Sequence, residues 1–131
     1  MKKISRLGLA LLAAFTAVGA AAADLKIGFI SSLSGPVAAL GVPYEKGIRA
    51  AIAERPEIGG RKVQLIVLDD ASDPTTAGRN ARKLVTEDKV DVLIGTSGVP
   101  GAMAIASVAR ELNTPLISPT PVVIPGPEGA W

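Results

Sequence analysis

The sequence predicts an α/β fold built on a doubly wound, mainly parallel sheet. Four short apolar runs alternate with three segments of helical periodicity. The runs are nearly continuous in leucine and β-branched residues, which suits strands covered on both faces. Turn residues, chiefly Gly, Pro and Asp, separate the segments. With right-handed crossovers, a βαβαβαβ order winds into such a sheet.

The first 23 residues are set aside from the fold. Lys2, Lys3 and Arg6 form a basic opening, residues 7–18 an apolar stretch, and Ala21-Ala22-Ala23 a small-residue cleavage site. An apolar stretch of that length is too short to span a bilayer, which takes ~20 residues. Residues 1–23 therefore read as a cleaved signal peptide, and Asp24 as the mature start.

The first strand is expected at residues 25–30. Tyr44, Ile48, Ala51 and Ile52 then share one helical face, with Pro43 near the start of that helix, where a missing N–H costs nothing. Gly59-Gly60 turns the chain into a second strand at 63–68. Asp73 as N-cap and Pro74 as first helical residue open the second helix, whose buried face is Ala77, Ala81, Leu84 and Val85. A third strand is expected at 90–94. Pro100-Gly101 opens a third helix with Ala102, Ile105, Ala109 and Leu112 on one face and Asn113 as its stop. A short fourth strand falls at 115–118. The last stretch, 119–131, reads as a proline-rich loop, and the chain reads as a fragment lacking a closing element.

Composition excludes several chemistries. The chain has 14 basic and 12 acidic residues, a formal +2; without the three basic residues of the leader, 11 against 12 gives −1. That balance does not support a nucleic-acid partner. There is no Cys, hence no disulfide, thiol nucleophile or lipid-anchoring cysteine, and no His. No cofactor or metal motif is present. The mature protein is expected to be soluble.

In doubly wound sheets ligands bind beyond the carboxyl ends of the strands. The loops to inspect are 31–42, 69–73, 95–101 and 118–127. Gly95-Thr96-Ser97-Gly98-Val99-Pro100-Gly101 leaves backbone N–H groups bare at a helix N-terminus, an end that carries roughly +0.5 charge and accepts anions. A carboxylate or phosphate would dock there, with the Thr96 or Ser97 hydroxyl helping. The alternative is a tight turn that needs glycine for geometry alone. The loop is neither Gly-x-Gly-x-x-Gly nor a P-loop. It approaches a nucleophile elbow, but Val99 stands where the last Gly belongs. The rival function is thus an exported α/β-hydrolase using Ser97, with triad partners beyond Trp131.

Asp69, Asp70 and Asp73 cluster after the second strand. They read as one helix cap and solvated loop carboxylates rather than a hard-cation site. Arg79, Arg82 and Lys83 read as the solvated face of the second helix. Residues 31–36, rich in serine, line a cleft or simply turn the chain. Tyr44 is a ligand platform or, by its spacing with Ile48, a core residue; the spacing favours core.

At these residues the chain resembles a known family, the type I periplasmic solute-binding proteins of branched-chain amino acid transporters, over about residues 25–122. The carrying motifs are Ile27-Gly28-Phe29, Leu33-Ser34-Gly35-Pro36-Val37-Ala38, Gly41 and Gly47, then Asp69-Asp70-Ala71-Ser72-Asp73-Pro74. Val92-Leu93-Ile94-Gly95 and Pro115-Leu116-Ile117-Ser118-Pro119 complete the set.

The resemblance implies two α/β lobes that close on a ligand, after which the loaded monomer docks on an inner-membrane ABC permease. Residues 24–131 would form most of the N-terminal lobe, with the second lobe absent from this chain. It implies that the ligand carboxylate sits on Ser97, Gly98 and Val99, that a second strip runs through Thr120, Pro121 and Val122, and that Leu40 walls the side-chain pocket. The acidic partner for a ligand ammonium would come from the second lobe. Two hydroxyls typical of the family fall on Val99 and Val122, so the Ser97 or Thr120 hydroxyl is expected to compensate, or the ligand to be a different small carboxylate. Ser72 and Gly98 occupy places where some members carry a disulfide. A lobe without its last elements is expected to leave a sheet edge and a core face uncovered.

Overall fold

The structure is a computed structural model that describes residues 23–122. The signal-peptide expectation, save for Ala23, and the end of the proline-rich stretch, 123–131, lie outside the described residues. In chain order the elements are β1 (Leu25–Ser31), α1 (Ala38–Glu54), β2 (Glu57–Ile58), β3 (Arg61–Asp69), α2 (Pro74–Thr86), β4 (Val92–Gly95), α3 (Val99–Glu111) and β5 (Leu116–Ile117). They form an α/β fold on one sheet of order β2-β3-β1-β4-β5. β1 lies between β3 and β4, parallel to both, with Ser31 level with Asp69 and Ile30 level with Gly95. β5 joins β4, also parallel.

The pleat of β1 explains how the helices divide. Successive side chains of a strand point to opposite faces. A side chain at Gly28 would meet Leu84, Leu93 and Val90, and Ile30 belongs to the same buried cluster as Ala77, Ala81, Ile105 and Ala109. That face is covered by α2 and α3, packed on each other. On the other face Ile27 lies with Ile48 and Ile52 of α1 and Ile94 of β4. α2 begins as the sequence dictates: the Asp73 side chain accepts from the Thr76 amide at 2.6 Å and Pro74 takes the first turn. α3 ends at Leu112, and Asn113 adopts φ +49°, the left-handed turn that asparagine tolerates after a helix.

Four expectations are corrected. Pro43 is not at a helix start: α1 begins five residues earlier, at Ala38, so Pro43 lies inside it. The carbonyl left without a donor belongs to Ala39, which is exposed and can be hydrated. Tyr44 is not core but 37% exposed, Ala51 is exposed too, and Gly41 is the one buried residue of α1. The second apolar run is not buried on both faces: Gln64 is exposed and the rest of residues 63–68 are half-buried, and α1 separately leaves a groove of about 500 Å³ beside Ile48, Ile52, Ile58 and Ile94. Gly59-Gly60 does more than turn the chain. With φ +59° and +77° it closes a two-residue hairpin that adds β2 antiparallel to β3.

Candidate functional site

β1 and β4 are neighbours, yet the helices that follow them leave to opposite faces. A crevice therefore opens beyond their carboxyl ends, between Ser31-Ser32 and the loop from Gly95 to Gly98. The strand order that creates it is a tertiary fact; the sequence offered four loops and singled out 95–101 from its bare helix start.

The crevice floor is a buried hydroxyl pair. Ser31 Oγ lies 3.1 Å from Ser97 Oγ and donates to the Gly41 carbonyl at 3.2 Å. A hydroxyl has one proton, so Ser97 is the donor within the pair. Gly41 permits this approach. A Cβ there would lie 2.0 Å from the Ser32 carbonyl oxygen and 2.8 Å from Ser97 Oγ, so only glycine lets α1 rest on both loops.

At the far side of the loop α3 begins with an uncapped end. Gly98 is its N-cap, with no capping side chain and no acidic residue in the first turn. Pro100 has no N–H. Among the described residues the amides of Gly98, Val99 and Gly101 find no protein acceptor. These are the orphan donors of a helix N-terminus, and with the helix dipole they favour an anion.

Of the sequence-predicted site residues, Gly98 lines the cavity beside this crevice, and the other four fall into two groups. Leu40 and Val99 are 52% and 50% exposed and offer apolar surface on α1 and α3. Ser97 and Thr120 are each 7% exposed, and their hydroxyls are turned inward. Ser97 bonds Ser31, and Thr120 Oγ1 donates to the Thr96 carbonyl. Thr96 Oγ1 is likewise committed, to Asp70 at 2.6 Å. The Thr96, Ser97 and Thr120 hydroxyls, expected to meet a ligand, are here all directed to protein partners. Amides are what the loop presents. Nor is Ser97 held in an exposed elbow as a nucleophile would be.

The three aspartates do not form one group. Asp73 caps α2. Asp69 accepts from the Leu33, Ser34 and Ala71 amides and from Ser34 Oγ at 2.6 Å. Partial burial pushes its carboxyl up, but these four hydrogen bonds together outweigh that and hold it below the ordinary 3.8. Asp70 is the residue that sequence reasoning misplaced. It is 1% exposed, not a solvated carboxylate, and accepts from Ser32 Oγ at 2.7 Å, Thr96 Oγ1 at 2.6 Å and the Ser72 amide at 2.9 Å. Position alone hid it, because two adjacent Asp residues at a strand end differ only in which face each enters. A cavity of about 180 Å³ adjoins it, lined by Ser32, Val37, Thr96, Gly98 and Gly101 among others.

Comparison with known proteins gives this geometry a family. A model of the periplasmic binding protein family matches residues 24–130. The chain is 34% identical over 120 residues to Leu/Ile/Val-binding protein homolog 6 of Brucella abortus, covering 89% of this chain and 30% of that protein. Among solved structures it is similar to an extracellular ligand-binding receptor from Rhodopseudomonas palustris HaA2, with 50% identity, TM-score 0.67, and coverage of 72% of this chain and 26% of that one. It is also similar to the branched-chain amino acid transporter substrate binding protein LivJ of Streptococcus pneumoniae, solved with isoleucine, with 30% identity, TM-score 0.69, and coverage of 74% and 29%. The chain thus spans less than a third of the length of these relatives. The helices parted by the β1/β4 crevice, the bare amides of α3 and a family match over most of the sequence lead to one conclusion: the chain belongs to the periplasmic binding protein family.

Proposed function

We propose that residues 24–131 form most of the first lobe of a two-lobed capture protein. It takes a branched-chain amino acid or a related small carboxylate from the periplasm and presents it to an inner-membrane ABC permease. The observation that carries this reading is the set of unpartnered amides at Gly98, Val99 and Gly101 above the β1/β4 crevice. In this reading the anionic group of the ligand rests on the Ser97 to Val99 backbone. Leu40 and Val99 supply apolar contact, and Thr120 shapes the pocket by holding Thr96 rather than by touching the ligand. The second lobe, outside this chain, closes over the ligand and supplies the partner for an ammonium group. The protein acts as a monomer, without cofactor or catalysis, after its leader is removed. The names of the relatives support the ligand class, and the free helix end supports the charge.

The test is titration calorimetry of the full-length two-lobed protein against leucine, isoleucine, valine, other amino acids and small carboxylates. Saturable binding of at least one of them is expected, weakened when its carboxylate is amidated. No heat from any of them overturns the reading.

A further inference from the structure

The ladder between β1 and β4 ends at Ile30 and Gly95, so the backbone that follows has no strand neighbour to hold it. Three side-chain contacts replace the ladder: Thr96 to Asp70, Ser97 to Ser31, and Thr120 to the Thr96 carbonyl. The first differs from the others in its partner, a carboxylate, and charge-assisted hydrogen bonds are the stronger kind. We propose that Asp70 is the positioning residue of the ligand loop: its buried carboxylate, gripping Thr96, fixes the orientation of the amides from Gly98 to Gly101. This rests on the capture function proposed above and names the residue that prepares its site.

Asp70 is itself well anchored. Its amide donates to the Ser31 carbonyl at 3.1 Å, and its carbonyl accepts from the Asp73 amide at 2.9 Å, where α2 begins. Ser32 and Ser72 bind the same carboxylate oxygen, Oδ1, leaving Oδ2 to Thr96. Asp70 thus ties the loop after β1 and the turn after β3 to the loop after β4. It reaches both ends of the ligand loop, since a Cβ at Gly101 would lie 2.8 Å from Thr96 Cγ2 and 3.5 Å from Asp70 Oδ2.

The chemistry asks for a carboxylate. Three donors converge on it, and an ionised carboxylate is a pure acceptor that can satisfy all three. Burying that charge is unfavourable, and apolar replacements of buried ionic networks are often neutral or stabilising. Conformational definition, rather than stability, is what such a group adds here. The neighbouring cavity of about 180 Å³ makes that definition necessary: Gly98 and Gly101 border open space, and packing alone does not hold the loop on that side.

The experiment uses the full-length protein, with hydrogen exchange at the start of α3, read at the Ala102 amide that donates to the Gly98 carbonyl at 2.9 Å, measured without ligand and L-isoleucine binding measured by calorimetry. Thr96→Val removes the hydroxyl at nearly constant shape. It is expected to speed exchange in this segment and to weaken L-isoleucine binding, each by about tenfold or more, the scale of one lost hydrogen bond to a charged group. Thr96→Ser restores the hydroxyl and is expected to restore both readouts to within about threefold. Asp70→Asn, which turns one acceptor into a donor, serves as a second disrupting variant if Thr96→Val does not fold. Leu84→Val, in the core under α2, lowers the melting temperature without touching the network and is expected to change neither readout. Disrupting variants that leave exchange at wild-type rates, or a Leu84→Val that reproduces the effect, overturn the proposal. If the wild type binds neither L-isoleucine nor any other member of the panel, the capture reading fails, and the exchange data alone decide the role of Asp70.

Discussion

Replacing Gly41 with alanine places a methyl group 2.0 Å from the Ser32 carbonyl oxygen, 2.6 Å from the carbonyl carbon and 2.8 Å from Ser97 Oγ. Ordinary contact begins near 3.4 Å, so α1 and the β1 loop must part by about 1.4 Å. Two of the three obstacles are backbone atoms and cannot rotate away. Overpacking of this kind costs about 1–3 kcal/mol. The retreat also stretches the Ser31 to Gly41 hydrogen bond beyond reach, which adds about 1 kcal/mol. A total loss of about 2–4 kcal/mol is expected. The internal control is Gly47→Ala in the same helix, where an added Cβ meets nothing within 4 Å. There alanine is expected to stabilise by about 0.5–1 kcal/mol, through the lower entropy of the unfolded chain. Urea denaturation of the two variants and wild type, followed by circular dichroism, measures both. Gly41→Ala within about 0.5 kcal/mol of wild type would refute the claim that α1 seats directly on the ligand loop.

Val99→Ser is expected to tighten carboxylate binding about tenfold or more, because it adds a hydroxyl beside the bare amides where a charge-assisted bond is worth about 1.5–3 kcal/mol; calorimetry checks it. The folded carboxyl of Asp69 lies below the ordinary 3.8. Its contribution to stability is therefore complete above that value and disappears as pH falls through 3.8 towards the folded value. Urea midpoints are expected to hold level between about pH 7 and 5 and to fall below about pH 4, less steeply in Asp69→Asn. Asp73→Ala removes the side chain that caps α2 and is expected to lower the urea midpoint, with no effect on ligand affinity, since α2 starts outside the crevice.

Much of the fold was legible because its signals are local. The period of Ala77, Ala81 and Leu84, the Asp73-Pro74 start and the Asn113 stop each act through neighbours in the chain. The β2–β3 hairpin carries a local signal too, since Gly-Gly is a two-residue hairpin turn, but it was read only as a turn. α1 misled because its apolar face meets an open groove rather than a filled core, and periodicity cannot report what is missing on the other side. In the candidate site, Gly98 and Val99 were proposed from the bare helix start. Asp70 was missed because burial at a strand end depends on which loops fold over it.

Chain order dictated alternating strands and helices, the glycine-rich start of α3 and the poverty of catalytic side chains, since these follow from residue type and spacing within a few turns. Only the tertiary fold decided that β1 and β4 lie side by side with α1 and α3 on opposite faces, and so where the crevice opens. It also decided that the serine and threonine hydroxyls of the loop face inward while its amides stay free. A hydroxyl binds the nearest available acceptor, and here those acceptors, Asp70, Ser31 and the Thr96 carbonyl, come from three separate strand ends that meet only when the sheet is formed.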